Sequence, residues 1–476
     1  MTIDVAIIGG GVSGLATAWE LRKRGYRAVV LERQVRTGGN AFSENIDGFI
    51  MEHGPSTINA YDAHAQAVSS SLGLGADQTY LGDGVKRRYL VGGGKLKSIP
   101  IHPMGFITAD YMSFRGRLRM MMEPLMRRGK SACDESIQDY AARRFGQEFA
   151  ERIMDPLVGG LYGGRADELS MSSLLPKMLM LEHKYGSVTA GMIARSVQGG
   201  HMPGKRLYSW RAGIGTLPRA LAAKCEDVRT GITVRNIRRN ASGYGIDCGG
   251  DGVVQARAVV LATQPHVASA LLDELDVDSA EATASISSPP MAVAFFGFRR
   301  DQVDHPLDGL GFLAAEVENI GLTGVQFNST MFSRRAPDGC VSMTAYVGGA
   351  RQPDLARQPE ADLTQLVQER LSGLLGIRGV PLVSRVRHWN LGLPQYRVGH
   401  SALVEKLETA CERSPGLFLT GNYLAGPSVA ACLNKACDTA RLADDFMAQS
   451  ATSQQLRGVN SAFNVEEEPT CPRFAF

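Results

Sequence analysis

The sequence predicts an α/β protein: a parallel sheet assembled from separated parts of the chain, a mixed α+β region beside it, and a helical region. Three observations carry that expectation. The chain opens with a strand, a glycine-rich turn, a helix and a second strand that ends in an acid. A second strand–glycine–helix unit stands near its other end, from Leu417 to about Phe446. Between them, Met291 to Phe298 and Val341 to Val347 look like strands of a further sheet.

Asp4 to Ile8 reads D-V-A-I-I, a short apolar run suited to a strand buried on both faces. Gly9, Gly11 and Gly14 follow as G-x-G-x-x-G, with Val12 and Ser13 in the gap. A helical pattern comes next, with Leu15, Ala18, Trp19 and Leu21 on its apolar side, and it stops near Gly25. Ala28 to Leu31 forms the second strand, which ends at Glu32. Each part has a physical task. Gly9 permits the tight turn, Gly11 lets the backbone approach a pyrophosphate, and Gly14 lets the helix pack close to the strand. The helix N-terminus offers free N–H groups and the positive end of its dipole. Glu32, 18 residues beyond Gly14, is placed to accept from a ribose hydroxyl, which favours an unphosphorylated ribose. Glycine turns alone are common; it is the order of strand, glycines, helix, strand and acid that points to a Rossmann-like, dinucleotide-binding unit.

Leu417 to Thr420 (L-F-L-T) reads as a buried strand, Gly421-Asn422 as a corner, and Gly426-Pro427-Ser428-Val429 as the entry to a helix. That entry is a second place to hold an anionic group. Val228 to Val234 and Val259 to Thr263 fit the rest of the same unit. Arg88 stands on a hairpin turned by Gly92-Gly93-Gly94.

The bulk numbers exclude several classes. A net charge of +3 over 476 residues does not read as a nucleic-acid binder. The eight cysteines include no C-x-x-C, and the nine histidines form no H-E-x-x-H, so no metal site is expected. No apolar run reaches the ~18–20 residues of a membrane span, and no signal peptide is seen, which makes the cytoplasm the default compartment. Arg115 to Lys130 carries six basic residues and one acid, Glu123, with Met120, Met121, Met122, Leu125 and Met126 interleaved. Two readings of it stay open: a basic amphipathic helix meeting anionic lipid, or a solvated face over a methionine-lined mouth. Residues 448–476 are polar and aperiodic and are expected to form a flexible tail.

Arg36-Thr37-Gly38-Gly39 resembles the R-x-G-G segment of the FAD-containing amine oxidase superfamily, with Asn40 where a basic residue is usual. The stretches D-P-L-V-G-G-L-Y-G-G from Asp155, E-L-S-M-S-S-L-L-P-K-M from Glu168, R-R-Y-L-V from Arg87 and W-N-L-G-L-P-Q-Y-R-V-G-H from Trp389 each resemble matching pieces of the protoporphyrinogen and coproporphyrinogen oxidase family. The resemblance runs in order from residue 3 to about 446. It implies an FAD/NAD(P)-binding Rossmann-like domain that is discontinuous (1–84, 206–290 and 381–447), a mixed α+β substrate domain (85–98 and 291–380) and a helical membrane-associated domain (99–205). It implies FAD as cofactor, a tetrapyrrole substrate and O2 as partners, and peripheral contact with an anionic membrane; a homodimer stays open.

Site residues carried over from the family begin with Gly9, Gly11, Val12, Ser13, Gly14, Glu32 and Arg33 for the cofactor. They continue with Gly38, Gly39, Asn40, Gly54, Pro55 and Ser56, and end with Val234, Thr263, Trp389, Gly421, Asn422, Ser428 and Val429. For substrate, Arg88 matches an arginine that pairs with a propionate, and Gly160 a glycine whose carbonyl faces pyrrole N–H groups. Leu313 and Tyr346 match the two sides of a macrocycle slot, and Gln326 replaces a second aliphatic wall residue. Ala212, Ala436 and Gln264-Pro265 also depart from the pattern. No acid–base residue is assigned. The reaction implied is dehydrogenation of a porphyrinogen, with hydrogen peroxide released. A flavin oxidase or desaturase acting on another pyrrole or an amine is the alternative.

Overall fold

The computed structural model describes residues 3–99, 111–129, 134–197 and 207–462. The first strand, Ile3–Ile8, pairs in parallel with Ala28–Glu32 on one side and Val253–Leu261 on the other. Asp227–Thr230 extends the sheet past Ala28–Glu32. Val253–Leu261 serves two further partners. Its first half pairs with the antiparallel hairpin Asn236–Asn240/Gly243–Asp247, and its second half pairs in parallel with Leu417–Leu419. Ile8 stands opposite Leu261, and Leu261 opposite Leu419. The C-terminal ends of three strands therefore lie in one row, about 10 Å across at the usual strand spacing.

Both faces of this sheet are covered, which is why the first strand reads as an unbroken apolar run. Val5 and Ile7 join a core with the helix Val12–Lys23 and the last helix, Val429–Ala462. Ala6 and Ile8 join the opposite core, with the helix Pro265–Leu272. Fully buried Ala436, Ala440 and Ala443 let the last helix lie close against the first.

The second sheet has seven strands, in the order Val383–Trp389, Met291–Arg299, Cys340–Gly348, Gly324–Gln326, Gly309–Leu313, Arg87–Gly92, Lys95–Ile99. All neighbours are antiparallel except Gly309–Leu313 beside Arg87–Gly92. Strand alternation splits its side chains cleanly. Ala292, Ala294, Phe296, Phe298, Met343, Ala345 and Val347 face the helix Glu360–Leu375 and meet Leu363, Val367, Leu371 and Leu375. The residues between them point to the other face, which carries the candidate site.

Three local expectations change. Asp227–Thr230 ends before Val234, because Gly231 (φ 77°) turns the chain. The basic stretch is not one helix. Phe114–Met121 is followed by a separate turn at Glu123–Leu125, where Pro124 supplies no N–H for a continuing helix. The tail begins later than 448: the last helix runs to Ala462, with no Gly or Pro between Val429 and Arg457 to stop it. Lys130 and residues 463–476 lie outside the described residues. No helix among the described residues is long and apolar enough to cross a membrane.

Candidate active site

The glycine turn has the shape a phosphate cradle needs. Gly9 has φ 108°. A Cβ on Gly14 would strike the carbonyl oxygen of Gly9, so helix and turn touch backbone to backbone. A Cβ on Gly11 would meet open space instead, on the side where a ligand can come close. The helix that starts at Val12 has no side-chain cap and no acid in its first turn, which leaves its N–H groups free for an anion. Gly38 donates to Gly10 at 2.8 Å and forms a parallel bridge with Gly11, bringing the R-T-G-G segment alongside the turn. Glu32 accepts from the N–H of Gly10 at 2.6 Å and of Gln34 at 2.7 Å. These bonds fix the carboxylate at the strand end and leave lone pairs for a hydroxyl. Arg33 beside it is exposed, and Val234 follows a chain segment whose Ile232 N–H bonds the Glu32 carbonyl.

The C-terminal unit closes on the same place. The last helix packs on the first, with Leu433, Ala436 and Ala440 in the same core as Val12, Leu15 and Ala16. Ser428 caps the last helix, its hydroxyl accepting from Ala431 at 3.0 Å, with Val429 in the core shared by both helices. Gly421 (φ 141°) sits against the carbonyl of Thr263, and Tyr396 donates to the Asn422 carbonyl at 2.6 Å. The hydroxyls of Thr263 and Thr420 are enclosed with no hydrogen-bond partner among the described residues. Enclosed and unpaired hydroxyls are rare in a finished interior. Their position beside two helix N-termini and a glycine corner fits a bound FAD that supplies the missing partners.

From the cradle, contacts lead without a break to the second sheet. A Cβ on Gly54 would lie 2.5 Å from the carbonyl oxygen of Asn40, so only glycine fits there. His53 accepts at its carbonyl from Trp389 Nε1 at 2.8 Å. Beyond Pro55, Ser56 donates to Gln326 Oε1 at 3.0 Å, and Tyr346 donates to the same oxygen at 3.1 Å. Gln326 thus ties the expected cofactor segment to the expected substrate face.

That face has readable rows. Val293 lies opposite both Arg387 and Tyr346, Tyr346 opposite Gly324, and Gly324 opposite Leu313, which in turn lies beside Leu90. Gly324 has no side chain, and Leu313 folds over it: a Cβ there would lie 2.8 Å from Leu313 Cδ2. In the next row Gln326 lies between Thr344 and Gly311. Arg88, two residues from Leu90 on the same side, stands at the far edge, exposed and without an ion pair among the described residues. The helix Asp155–Tyr162 lies over the first of these rows, with Gly160 pressed against Leu313. The structure therefore brings Gly160, Leu313, Gln326 and Tyr346 together, with Arg88 at their margin. Burial raises the Tyr346 phenol well above its ordinary range, and the Glu52 charge adds to that, so Tyr346 stays protonated and donates.

Several residues were missed by sequence reasoning. Arg351 is buried between the helix and the sheet; it donates to the Asp155 carboxylate at 2.7 Å, to the Asp155 carbonyl and to the Ala314 carbonyl at 3.1 Å. It pins the helix that bears Gly160. Glu52 and Arg335 form a buried ion pair at 2.9 Å beside Ser56. Burial raises the Glu52 carboxyl, opposed by Arg335, Ser43 and the Ile214 N–H. The one sequence signal was position: Glu52 immediately precedes the His53-Gly54-Pro55-Ser56 run. No group of side chains among the described residues could hold a metal ion.

The flavin containing amine oxidoreductase profile matches residues 12–443. The chain belongs to that family, and FAD is its cofactor. Its relatives cover nearly the whole chain. The chloroplastic protoporphyrinogen oxidase of Oryza sativa subsp. japonica is 30% identical over 95% of this chain and 90% of its own length. The coproporphyrinogen III oxidase of Bacillus subtilis (strain 168) is 26% identical over 90% of this chain and 96% of its own. A solved structure from Exiguobacterium sp. 255-15 superposes with a TM-score of 0.82 at 22% identity, over 93% of this chain and 98% of that one. The cyclohexylamine oxidase of Brevibacterium oxydans IH-35A superposes at 0.69, with 17% identity over 94% of this chain and 100% of that one. The protein is a flavin-dependent, porphyrinogen-oxidase-like enzyme.

Proposed function

We propose that the enzyme dehydrogenates a porphyrinogen, protoporphyrinogen IX or coproporphyrinogen III, to the porphyrin with O2 as electron acceptor and hydrogen peroxide as by-product. The observation that supports this most is the row that sets Leu313 and Tyr346 on either side of Gly324 beneath Gly160, with Arg88, exposed and without an ion pair among the described residues, at its margin. A flat tetrapyrrole with carboxylate side chains matches both features. Bound FAD would supply the two-electron redox chemistry that the dehydrogenation of a methylene bridge needs, with O2 as the final acceptor.

The chain's own residues bind and orient. Arg88 holds a substrate carboxylate with its guanidinium fork. Leu313 and Tyr346 bound the macrocycle, and Gly160 presents its carbonyl to pyrrole N–H groups. Gly11, Ser13, Glu32, Gly39, Ser56, Thr263, Trp389 and Asn422 hold the cofactor. Tyr346 is committed to Gln326, so it positions rather than exchanges protons.

The helix Phe114–Met121 and the turn after it expose Phe114, Leu118, Met121, Met122 and Leu125. This supports a peripheral contact with anionic lipid. Arg119 takes no part in it, since it donates to the carbonyls of Arg143 and Arg144.

Oxygen uptake by the purified holoenzyme, with each porphyrinogen in turn, tests the proposal. Uptake with neither removes it. One observation favours a second reading: Gln326 puts a polar carboxamide on an otherwise apolar wall, which suits another pyrrole or an amine. Uptake with such a substrate and with no porphyrinogen selects that reading.

A further inference from the structure

Arg387 stands in a strand of the second sheet, on the face that carries the site, two residues before Trp389. Its guanidinium lies over the Trp389 ring, 4.6 Å from the centroid. Its Nε is enclosed and has no hydrogen-bond partner, and no carboxylate pairs with it among the described residues. Across from it comes Arg36, the first residue of the R-T-G-G segment, held over the Phe42 ring at 4.1 Å and bonded through its guanidinium to the Gly39 carbonyl at 3.2 Å. His53 meets Phe42 with ring centroids 4.7 Å apart and planes tilted by 44°, and its carbonyl accepts from Trp389.

Two guanidinium groups and an imidazole thus converge, each fixed by an aromatic ring. A chain of contacts joins them: Arg36 lies over Phe42, Phe42 meets His53, and the His53 carbonyl accepts from Trp389, over which Arg387 lies. Burial and then the Arg387 charge lower the Arg36 pKa, in keeping with that arrangement. The carboxylates nearby are already engaged: Glu44 pairs with His53 at 3.0 Å, and Glu32 accepts from the N–H groups of Gly10 and Gln34. Converging cations without a shared anion cost free energy, and an anion between them would recover it. The cluster borders the route from Gly39 to Trp389 along which the cofactor runs, and position 40 on that route is Asn, with no charge of its own.

We infer that Arg387, with Arg36, is a binding residue for negative charge on FAD, and that this cation is contributed by the second sheet. The charge is either the pyrophosphate, present in both redox states, or the ring that becomes anionic on reduction. The same guanidinium chemistry suits both.

Arg387→Gln and Arg387→Lys, with Arg385→Gln as a neighbouring exposed control, would be measured for FAD dissociation by fluorescence and for two-electron midpoint potential. The inference expects Arg387→Gln to act in one of two ways. If the guanidinium meets the pyrophosphate, FAD binding weakens about tenfold with the potential unchanged. If it meets the ring, the potential falls by about 30 mV, the equivalent of a tenfold preference for the reduced form. In either case the Lys variant recovers part of the loss and the Arg385 control stays at the wild-type value. Unchanged affinity and unchanged potential in Arg387→Gln overturn it. So does a Lys variant as impaired as the Gln variant, since the role is then one of shape and not of charge.

Discussion

Gly14 has no room for a side chain. Its missing Cβ would strike the carbonyl of Gly9, and neither backbone can give way alone. Gly14→Ala is expected to cost about 1–3 kcal/mol of stability, as overpacking does, and to lower the flavin-to-protein absorbance ratio of the purified enzyme. Arg88 is the opposite case. It is exposed at the margin of the expected substrate face, and its side chain has no hydrogen bond or ion pair among the described residues. Arg88→Ala should raise KM about tenfold, the loss of one charged hydrogen bond, and leave FAD content alone; steady-state kinetics beside a flavin assay checks both. Loss of flavin in that variant would contradict the division of the site. Residues such as Gly9, Gly11 and Gly14 were legible because turn geometry is local and only glycine meets it. The bonds of Gln326 to Ser56 and Tyr346 were not, because Ser56 lies 270 residues away from it in sequence. Arg351, Glu52 and Arg335 stayed hidden for the same reason: an arginine or glutamate in a sequence looks solvated until the fold buries it with a partner.

At the scale of elements, strands with one-sided or two-sided burial declared themselves through their apolar patterns, and helix ends did so less well. Glu123 is the clearest failure. It read as the lone acid of a basic stretch, yet it is fully buried. It accepts from Arg144, from Ser187 at 2.6 Å and from the N–H groups of Val188 and Thr189 at 3.1 Å, so it caps the helix Val188–Val197 and holds the helical region together. Burial alone would raise its carboxyl, but the hydrogen bonds from Ser187, Thr189 and Arg144 outweigh burial and hold it below the usual value. A carboxyl lowered in the folded state contributes stability at pH above its unfolded pKa, about 4.3, and loses that contribution as pH falls through the folded value. Thermal melts from neutral to acid pH should therefore show a falling midpoint below about pH 4.3 that is shallower in Glu123→Gln. The same variant should lose about 3 kcal/mol at neutral pH, because buried Arg144 then keeps only the more distant Glu182 carboxylate, at 3.6 Å, and backbone carbonyls. Equal acid slopes in the two proteins would contradict the assignment.

Over the whole molecule, strand order does what the sequence spacing cannot show. Parallel pairing of Val253–Leu261 with both Ile3–Ile8 and Leu417–Leu419 puts the two glycine corners, some four hundred residues apart, at one edge of one sheet. The second sheet then presents its other face, through Trp389 and Gln326, to the segment from Asn40 to Ser56. A cofactor running from the first helix N-terminus to the row of Tyr346 and Leu313 touches both sheets. The general fold and the cofactor were legible at this scale because motifs and order sufficed. The make-up of the substrate face was not, since it depends on register across six strands.

Flavin held at the cradle is proposed to lie against the face of Leu313 and Tyr346 and to take electrons from a porphyrinogen there. Anaerobic titration of the purified, flavin-loaded enzyme with protoporphyrinogen IX and coproporphyrinogen III tests this most directly. The yellow oxidised spectrum is expected to bleach stoichiometrically with one or both, porphyrin appearing in step. A flavin that stays oxidised with both, in a protein that dithionite reduces normally, would contradict it.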